Sequence, residues 1–521
     1  MAPRSHYKNM FLTAGGTLGS RVLGLVRDEL IVGLLGSGAV ASGVLFALLV
    51  PNLFRRLLGE GALTAAVMPV MSEELAEGGR GRAFRFLNVV RSRMGLLMAG
   101  LTVVGMGVMW AVSAWEFGAV ADRHRIAAGL TVVCLPYMPL VCLAALFTAA
   151  LNLLGRFGVT SLSAVWLNVA MIGAVGGAWV GGARDEVALA VAVCAGALVG
   201  GGLQLAVPAV ALAREGWRPG FSLEGSGAWV RLRGLFLPAV AGAGVQQVNF
   251  LVSRCLALNL DDQSLTVYYL ANRVVELPIG VFAIAVSSVI FPAMAVHAAA
   301  GRRGELGSEF AHGMRLIFAI NIPAAVGLMV LGEPVVRVLF EHGKFDAEAT
   351  RATVPVLRVF AAGAPFYGVL ALVGRGLNAL GDVRSQARVA VWVFGVNLVL
   401  SPVLAWCWGA PGLAVANWVS VVFQCAVLWR VLARREGVGG GGALGGALAR
   451  CVVASGLMGV FAHGAWGVVE GRVGGVVEAV ALAGVVVASA GVYFLILGRG
   501  FRYPEVDEVA GWLLRRRRRG L

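Results

Sequence analysis

The sequence predicts an all-α protein that crosses a membrane many times, and three observations support this fold class. Hydrophobic residues make up 59% of the chain and charged residues only 14%, whereas soluble domains are near half apolar and a quarter charged. Apolar runs repeatedly exceed the ~18 residues that distinguish a membrane-spanning helix from a buried core helix. The 73 glycines are typical of helices that pack closely in lipid.

The apolar runs predict about fourteen membrane spans of the usual ~20-residue length. The predicted spans are 10–35, 40–76, 86–114, 125–152, 158–181, 186–213, 230–258, 265–298, 312–333, 350–378, 387–409, 411–433, 443–469 and 473–498. The first run is too long for the apolar part of a signal peptide, and no small-residue cleavage site follows it, so we interpret it as the first span.

The loops between these spans alternate in charge, which predicts the orientation through the positive-inside rule. Basic residues precede the first span and occupy every second loop thereafter: Arg4, Lys8, Arg80, Arg82, Arg85, Arg156, Arg214, Arg218, Arg231, Arg233, Arg302, Arg303, Arg384, Arg388, Arg430, Arg434 and Arg435. The pattern fits an even number of spans with both termini in the cytoplasm. The net charge of +15 is therefore explained by topology, and no nucleic-acid partner is expected.

Two stretches are loose copies of each other, PNLFRRLLGEGALTAAVMPVM from Pro51 and ANRVVELPIGVFAIAVSSVIFPAM from Ala271. Each places arginine first, then an acid, glycine, an apolar run and proline. Six spans separate them, which predicts two six-helix lobes followed by two further helices, as in repeat-built transporters. The predicted divisions are an N-lobe at 1–215, a C-lobe at 216–436, the last two helices at 437–500 and a basic cytoplasmic tail at 501–521. This tail either lies on the anionic inner leaflet or only flanks the last span.

Of the arginines that lie within predicted spans, four form the candidate group: Arg21, Arg27, Arg55 and Arg273. Facing lipid, they would together cost on the order of 10 kcal/mol. We therefore expect them to face a wet interior that holds an anionic cargo, since guanidinium groups bind phosphate oxygens two at a time. Nearby acids, Asp28, Glu60 and Glu276, can pair with them in the absence of cargo. The alternative is that these arginines form internal ion pairs or reach the membrane interface.

Enzyme and metal motifs are absent from the sequence. Seven cysteines are scattered singly, and the six histidines form no zinc pattern. The chain has no phosphate-binding loop of the GxxxxGK[ST] type, so ATP is not expected to drive it directly. Asn378 and Asp382 stand four apart and are candidate cation ligands, although a helix end followed by a turn explains them more simply.

Four segments of the chain resemble the MurJ/MviN lipid II flippases of the MOP exporter superfamily. They are SRVLGLVRD (20–28), PNLFRRLLGEGALTAAVMPV (51–70), NRVVELPIGV (272–281) with Phe291 and Pro292, and FEHGKFD (340–346). The resemblance implies a fourteen-helix transporter, not an enzyme, in the bacterial inner membrane. It implies that lipid II, an undecaprenyl-pyrophosphate-linked disaccharide pentapeptide, is moved to the outer leaflet for peptidoglycan assembly.

The resemblance also implies roles for individual residues. Arg21, Arg27, Arg55 and Arg273 fall on the family's cavity arginines, and Ser20, Asp28, Glu60 and Glu276 fall on their polar neighbours. No cofactor is expected; a Na⁺ or H⁺ gradient or the membrane potential is the expected energy source. Membrane lipids and the cell-wall synthesis machinery are expected partners.

This chain departs from the family pattern at two places. Ser42 stands where an aspartate is usual, and DVRSQ (382–386) lacks the proline of the usual turn. The first difference casts doubt on a gating ion pair at that position. Three other functions stay open from the residues alone: a related exporter of drugs or O-antigen lipids, a membrane enzyme acting on polyprenyl phosphates, and a scaffold for envelope synthesis.

Overall fold

A computed structural model describes residues 3–57, 63–114, 121–225, 227–278, 284–436 and 441–505. These residues form seventeen α-helices and no β-strand. The helices are α1 (Pro3–Leu35), α2 (Ala39–Phe54), α3 (Leu63–Ala114), α4 (Asp122–Cys134), α5 (Tyr137–Leu153), α6 (Phe157–Ser161), α7 (Ser163–Val180), α8 (Glu186–Arg214), α9 (Gly227–Leu260), α10 (Ser264–Pro278), α11 (Ile284–Ala299), α12 (Arg303–Val330), α13 (Gly332–Phe340), α14 (Ala347–Ala379), α15 (Val383–Glu436), α16 (Gly441–Val469) and α17 (Val476–Leu495). A wider helical turn, Ile496–Gly500, extends α17. The all-helical membrane fold is thus confirmed.

Nine of the described helices are long and apolar enough to cross a membrane, or ten if α4 and α5, bent by 46°, form one span. Two of these helices are continuous runs that each cover parts of two predicted spans. The chain bends within α3 at Gly78 and Gly79, and within α15 at Gly409. Gly79 and Gly409 have φ values of 64° and 62°, which side chains with a Cβ rarely adopt. The predicted count of fourteen stays a prediction.

The helices fall into two compact units, one comprising Met1–Thr266 with His342–Asp346 and the other comprising Val267–Glu341 with Ala347–Leu521. The lobe boundaries predicted from the repeats stay a prediction. In the first unit, α7 packs closely on α8. A Cβ added at Gly196 or Gly200 of α8 would approach the Cα of Met171 or Leu167 to 2.8 Å. Such close backbone approach is typical of helix pairs in lipid.

Helix α12 is central to the second unit, where it packs against α11, α14 and α16. The close approach of α12 and α14 again depends on a glycine, since a Cβ at Gly368 would meet the side chains of Asn321 and Ile317. A buried cluster on α12, α14 and α16 continues to Tyr493, Leu497 and Tyr503 near the end of the described chain. The core of this unit is therefore built around α12.

A polar contact holds the last described residues against α12. Glu505 is only 3% exposed and accepts a hydrogen bond from Nε of Arg315. Its Oε1 lies 3.4 Å from Nδ1 of His312, and the hydroxyl of Tyr503 donates to the carbonyl oxygen of Arg315 at 3.0 Å. We call Tyr503 and Glu505, with Arg315 and His312, the C-terminal clasp.

Candidate functional site

Arg27 of α1 has the most completely described polar environment among the predicted site residues. Its Nε and NH2 donate to Oδ1 of Asp28 at 3.0 and 2.6 Å. The side chain of Arg27 is 14% exposed and that of Asp28 only 1%. A charge at this burial is costly unless it is paired and hydrogen-bonded, so Asp28 explains how α1 accommodates the guanidinium group.

Asn168 of α7 completes the surroundings of Arg27. Its Oδ1 accepts from NH1 of Arg27 at 3.0 Å, and its Nδ2 donates to the main-chain oxygen of Ser20 at 3.0 Å. Asn168 therefore connects two turns of α1 and fixes the plane of the guanidinium group. Sequence analysis missed Asn168, although a single amide in the apolar stretch SAVWLNVAM was a usable signal. The predicted neighbours Ser20 and Asp28 both belong to this cluster.

Arg21 lies on the same helix but outside this cluster. Helix α1 continues as one helix from Pro3 to Leu35 through Gly24, and residues six apart on a straight helix are about 120° apart around its axis. Arg21 is partly exposed and makes no hydrogen bond or ion pair with the part of the chain that the structure describes.

Arg55 follows directly after α2, which contains Pro51. Its Nε donates to Oδ1 of Asn52 at 3.2 Å, and Nδ2 of Asn52 donates to the carbonyl oxygen of Leu48 at 2.9 Å. Both Arg55 and Arg27 lie near enough to the buried hydroxyl of Tyr137 to act on it electrostatically. Arg55 and Arg27 both belong to the first unit. The predicted neighbour Glu60 lies outside the described residues.

Arg273 belongs to the second unit, on α10. Its NH1 lies 3.8 Å from Oε2 of Glu276, the pairing that a three-residue spacing predicts on one helix face. Oε1 of Glu276 also accepts from Nδ2 of Asn272 at 2.8 Å. The two side chains are 22% and 41% exposed, so this pair is more accessible than Arg27 and Asp28.

Two further arginines within apolar segments were missed by sequence analysis. The guanidinium of Arg254 on α9 lies 4.6 Å from the ring centre of Phe250, and Arg56 approaches the same ring at 5.4 Å. Arg375 on α14 lies 5.8 Å from the ring centre of Phe291. Aromatic rings stabilise desolvated cations at these distances. Arg254 and Arg375 could have been found by the sequence signal that identified the four predicted arginines, namely an arginine inside an apolar segment.

Asn378 and Asp382, the candidate cation ligands, take part in a turn between two helices. Oδ1 of Asn378 accepts from Nε2 of Gln386 at 2.7 Å, and Oδ1 of Asp382 accepts from the main-chain nitrogen of Ser385 at 3.1 Å. Asp382 thus caps the first turn of α15. No group of three or more His, Cys, Asp or Glu side chains that could hold a metal occurs within the described ranges, and the role of Asn378 and Asp382 as cation ligands stays a prediction.

Ser42 is fully buried near the start of α2, where an acid is usual in the family that the chain resembles. Its hydroxyl donates to the main-chain oxygen of Asp262 at 2.7 Å and lies 3.0 Å from Oγ1 of Thr266. Both contacts of the Ser42 hydroxyl are with uncharged groups, so Ser42 needs no charged partner. It joins the start of α2 to the turn before α10.

The family model described as "Lipid II flippase MurJ" matches residues 31–482. The chain belongs to this family. A protein of Vibrio cholerae described as "Probable lipid II flippase MurJ" is 33% identical over 442 residues, 82% of each chain. A Burkholderia cenocepacia protein described as "Lipid II flippase MurJ" is 26% identical, over 82% of this chain and 84% of its own.

Solved structures support the same fold. A structure titled "Lipid II flippase MurJ, inward closed conformation" has a TM-score of 0.77 at 20% identity and covers 94% of this chain and 99% of its own. A multidrug-resistance MATE family transporter of the MOP superfamily has a TM-score of 0.64 at 13% identity, over 82% and 95%. The MurJ family consists of transporters, not catalytic enzymes, and its members are multi-pass proteins of the bacterial inner membrane.

Proposed function

We propose that this protein flips lipid II, moving its pyrophosphate-linked headgroup from the inner to the outer leaflet of the bacterial inner membrane. Membership of the MurJ family and the printed descriptions of its relatives support the cargo. Within the chain, the observation that best supports an anionic cargo is the buried group of Arg27, Asp28 and Asn168. Guanidinium is the side chain best suited to hold a pyrophosphate, because its planar donors meet two oxygens at once.

In this proposal Arg27 exchanges partners during transport. Without cargo, Asp28 balances the charge of Arg27, so the cation does not remain buried alone. Asn168 holds the guanidinium in a fixed plane, which lowers the entropy lost when an anion binds. A pyrophosphate, with more negative charge and more acceptor oxygens than one carboxylate, competes with Asp28 for the same donors. Reversal of this exchange releases the cargo.

The other three arginines, Arg21, Arg55 and Arg273, also bind the anionic cargo in this proposal, in a hydrated interior that excludes the lipid tail. Glu60 and Glu276 balance their charge when the site is empty. Transport then follows alternating access, in which the cargo favours an occluded state only to the extent that it binds that state more tightly. The membrane potential or a Na⁺ or H⁺ gradient supplies the energy, since one charge crossing gains about 2.3 kcal/mol per 100 mV.

Replacement of the arginines in cells depleted of their native flippase tests this function. Arg27→Ala and Arg273→Ala are expected to abolish growth and to leave labelled lipid II on the inner face. Arg27→Lys retains the charge but not the planar pair of donors, so we expect partial activity. Arg351→Ala is the control, because Arg351 is exposed on α14 and, among the described residues, donates only to the carbonyl oxygen of Ala347.

Normal growth with either alanine variant, at expression equal to that of Arg351→Ala, would contradict the arginine role. If the protein were instead a drug exporter, it would export a drug, and neither the protein nor its alanine variants would change the amount of lipid II on the inner face.

A further inference from the structure

A side pocket of about 500 Å³ lies among α12, α13, α14 and α16 in the second unit. Val326, Met329 and Val330 line it from α12, and Gly456, Gly459 and Val460 line it from α16. The pocket is at the end of α12 remote from Arg302 and Arg303. The predicted orientation places that end at the extracytoplasmic surface. In that orientation, lipids of the outer leaflet would reach this cavity.

Arg358 is the cationic residue that lines this pocket. It lies within α14, one of the helices apolar enough to span a membrane, and yet its side chain is exposed. Its Nε donates to the carbonyl oxygen of Met329 at 3.2 Å, and its terminal NH groups form no hydrogen bond or ion pair with a described residue. An arginine near lipid is stabilised by an anion at headgroup depth, and the phosphate of a lipid is the nearest abundant one.

The lining also contains two acids, Glu333 and Glu470, together with His463. Glu333, in the first turn of α13, is exposed and forms no ion pair with the described residues, and Glu470 lies on the same pocket. NH2 of Arg337 lies 3.4 Å from Oε1 of Glu470, so Glu333 is the acid that stays available. A lining with a cation and an acid favours a ligand that itself carries both signs.

Trp466 gives an independent indication of a ligand. This side chain lines the pocket and is 95% buried, since its exposed fraction is 5%. Its indole Nε1 is buried and has no hydrogen-bond partner among the described residues. Buried indole N–H groups usually find an acceptor. A bound molecule with phosphate or carbonyl oxygens would supply one here.

We propose that this pocket binds the headgroup of a zwitterionic phospholipid of the phosphatidylethanolamine class. Arg358 binds the phosphate, Glu333 binds the ammonium group, and the apolar walls formed by α12 and α16 hold the upper part of the acyl chains. The site is distinct from the arginine cluster around Arg27, which belongs to the first unit. Occupancy of this pocket stabilises the packing of α16 on α12.

Native mass spectrometry of the purified full chain tests this proposal, with phosphatidylethanolamine and phosphatidylglycerol added at equal concentration. The wild type is expected to retain phosphatidylethanolamine preferentially. Arg358→Gln should weaken retention about tenfold, because it removes a charge-assisted contact. Arg351→Gln, on the same helix with a similar single contact, should leave retention unchanged. Glu333→Gln should remove the preference between the two lipids.

Three results would overturn the proposal. Equal retention of phosphatidylethanolamine by the wild type and Arg358→Gln would exclude the arginine contact. Equal binding of the two lipids by the wild type would exclude recognition of the ammonium group. Displacement of phosphatidylethanolamine by equimolar undecaprenyl pyrophosphate would assign the pocket to a different lipid. Should Arg358→Gln not fold, Arg358→Lys, which keeps the charge, is expected to retain the lipid, and its complete loss of binding would count equally against the proposal.

Discussion

At the scale of single residues, the arginines of this protein are accommodated by specific polar neighbours that differ from one arginine to the next. Arg27 has a carboxylate and an amide, Arg55 has an amide, and Arg254 has an aromatic ring. These differences indicate unequal roles. Arg27 has two described partners that fix its orientation, whereas Arg21 has none among the described residues, so we expect Arg27 to be less tolerant of substitution.

Asn168→Leu provides a test of this orientation at residue scale. The change removes the acceptor for Arg27 and the donor to the oxygen of Ser20, and it should lower the free energy of unfolding by about 1–3 kcal/mol. It should also reduce lipid II transport strongly, because the guanidinium plane is no longer fixed. Thermal unfolding in detergent and growth of depleted cells measure the two effects.

Gln204→Leu is the matched control for Asn168→Leu. Gln204 is as deeply buried, accepts from the hydroxyl of Tyr137 at 3.1 Å and donates to the carbonyl oxygen of Ser163 at 2.9 Å, but it does not contact Arg27. We expect Gln204→Leu to lower the free energy of unfolding about as much as Asn168→Leu does, but to retain much more lipid II transport. Equal transport by the two variants would show that Asn168 has only a structural role.

At the scale of helices, glycine determines how closely α8 can approach its neighbours. A Cβ at Gly201 would lie 2.5 Å from Cδ2 of Tyr137, whereas one at the adjacent Gly202 would meet nothing within 4 Å. We therefore expect Gly201→Ala to destabilise the protein by about 1–3 kcal/mol through overpacking. Gly202→Ala should be neutral or slightly stabilising, because alanine loses less backbone entropy in a helix. Thermal unfolding of both variants distinguishes steric overlap from the general effect of adding a methyl group.

The bend of α3 at Gly78 and Gly79 is braced by a buried acid. Glu74 accepts from Arg82, on the other side of the bend, and from NH2 of Arg231 on α9 at 3.1 Å, while its side chain is 5% exposed. Because both arginines are nearly half exposed, we expect Glu74→Gln to cost only about 1 kcal/mol. Glu73→Gln is the control, since Glu73 is 53% exposed and its one ion pair with a described residue is that to Arg231. A larger loss of thermal stability for Glu73→Gln would contradict this account.

Helix positions were predictable from the sequence because apolar runs of spanning length leave few alternatives in lipid. Most described residues of the predicted spans are helical, but the bends do not follow from hydropathy. The predicted span 265–298 includes α10 and α11, and residues 279–283 between them lie outside the described residues. Pairing within a helix, as for Arg273 and Glu276, followed from spacing. The contact of Asn168 with Arg27 did not, because it joins residues 141 positions apart.

At the scale of the whole molecule, the charged residues within a helix help decide whether that helix can be recognised as a membrane span. Helix α1 contains Arg21, Arg27, Asp28 and Glu29 in its second half and is not among the nine apolar helices. The residues that predict an anion site are thus the same residues that make this helix atypical for a membrane. Family membership supports a transporter, whereas composition alone supports only a polytopic membrane protein.

Cysteine labelling in intact cells tests the predicted orientation. Gly304→Cys, in the first turn of α12, and Glu348→Cys, in the first turn of α14, are introduced into a variant that lacks the seven native cysteines. A membrane-impermeant maleimide should label Glu348→Cys directly and Gly304→Cys only after the cells are permeabilised. The reverse result would place both termini outside the cytoplasm.

The C-terminal clasp has a practical consequence for producing this protein. Shortening the chain before Tyr503, or fusing a reporter directly after Gly500, would remove Glu505 and leave the guanidinium of Arg315 without its carboxylate. Affinity handles are therefore better attached at a position after Glu505 than in place of Tyr503 or Glu505.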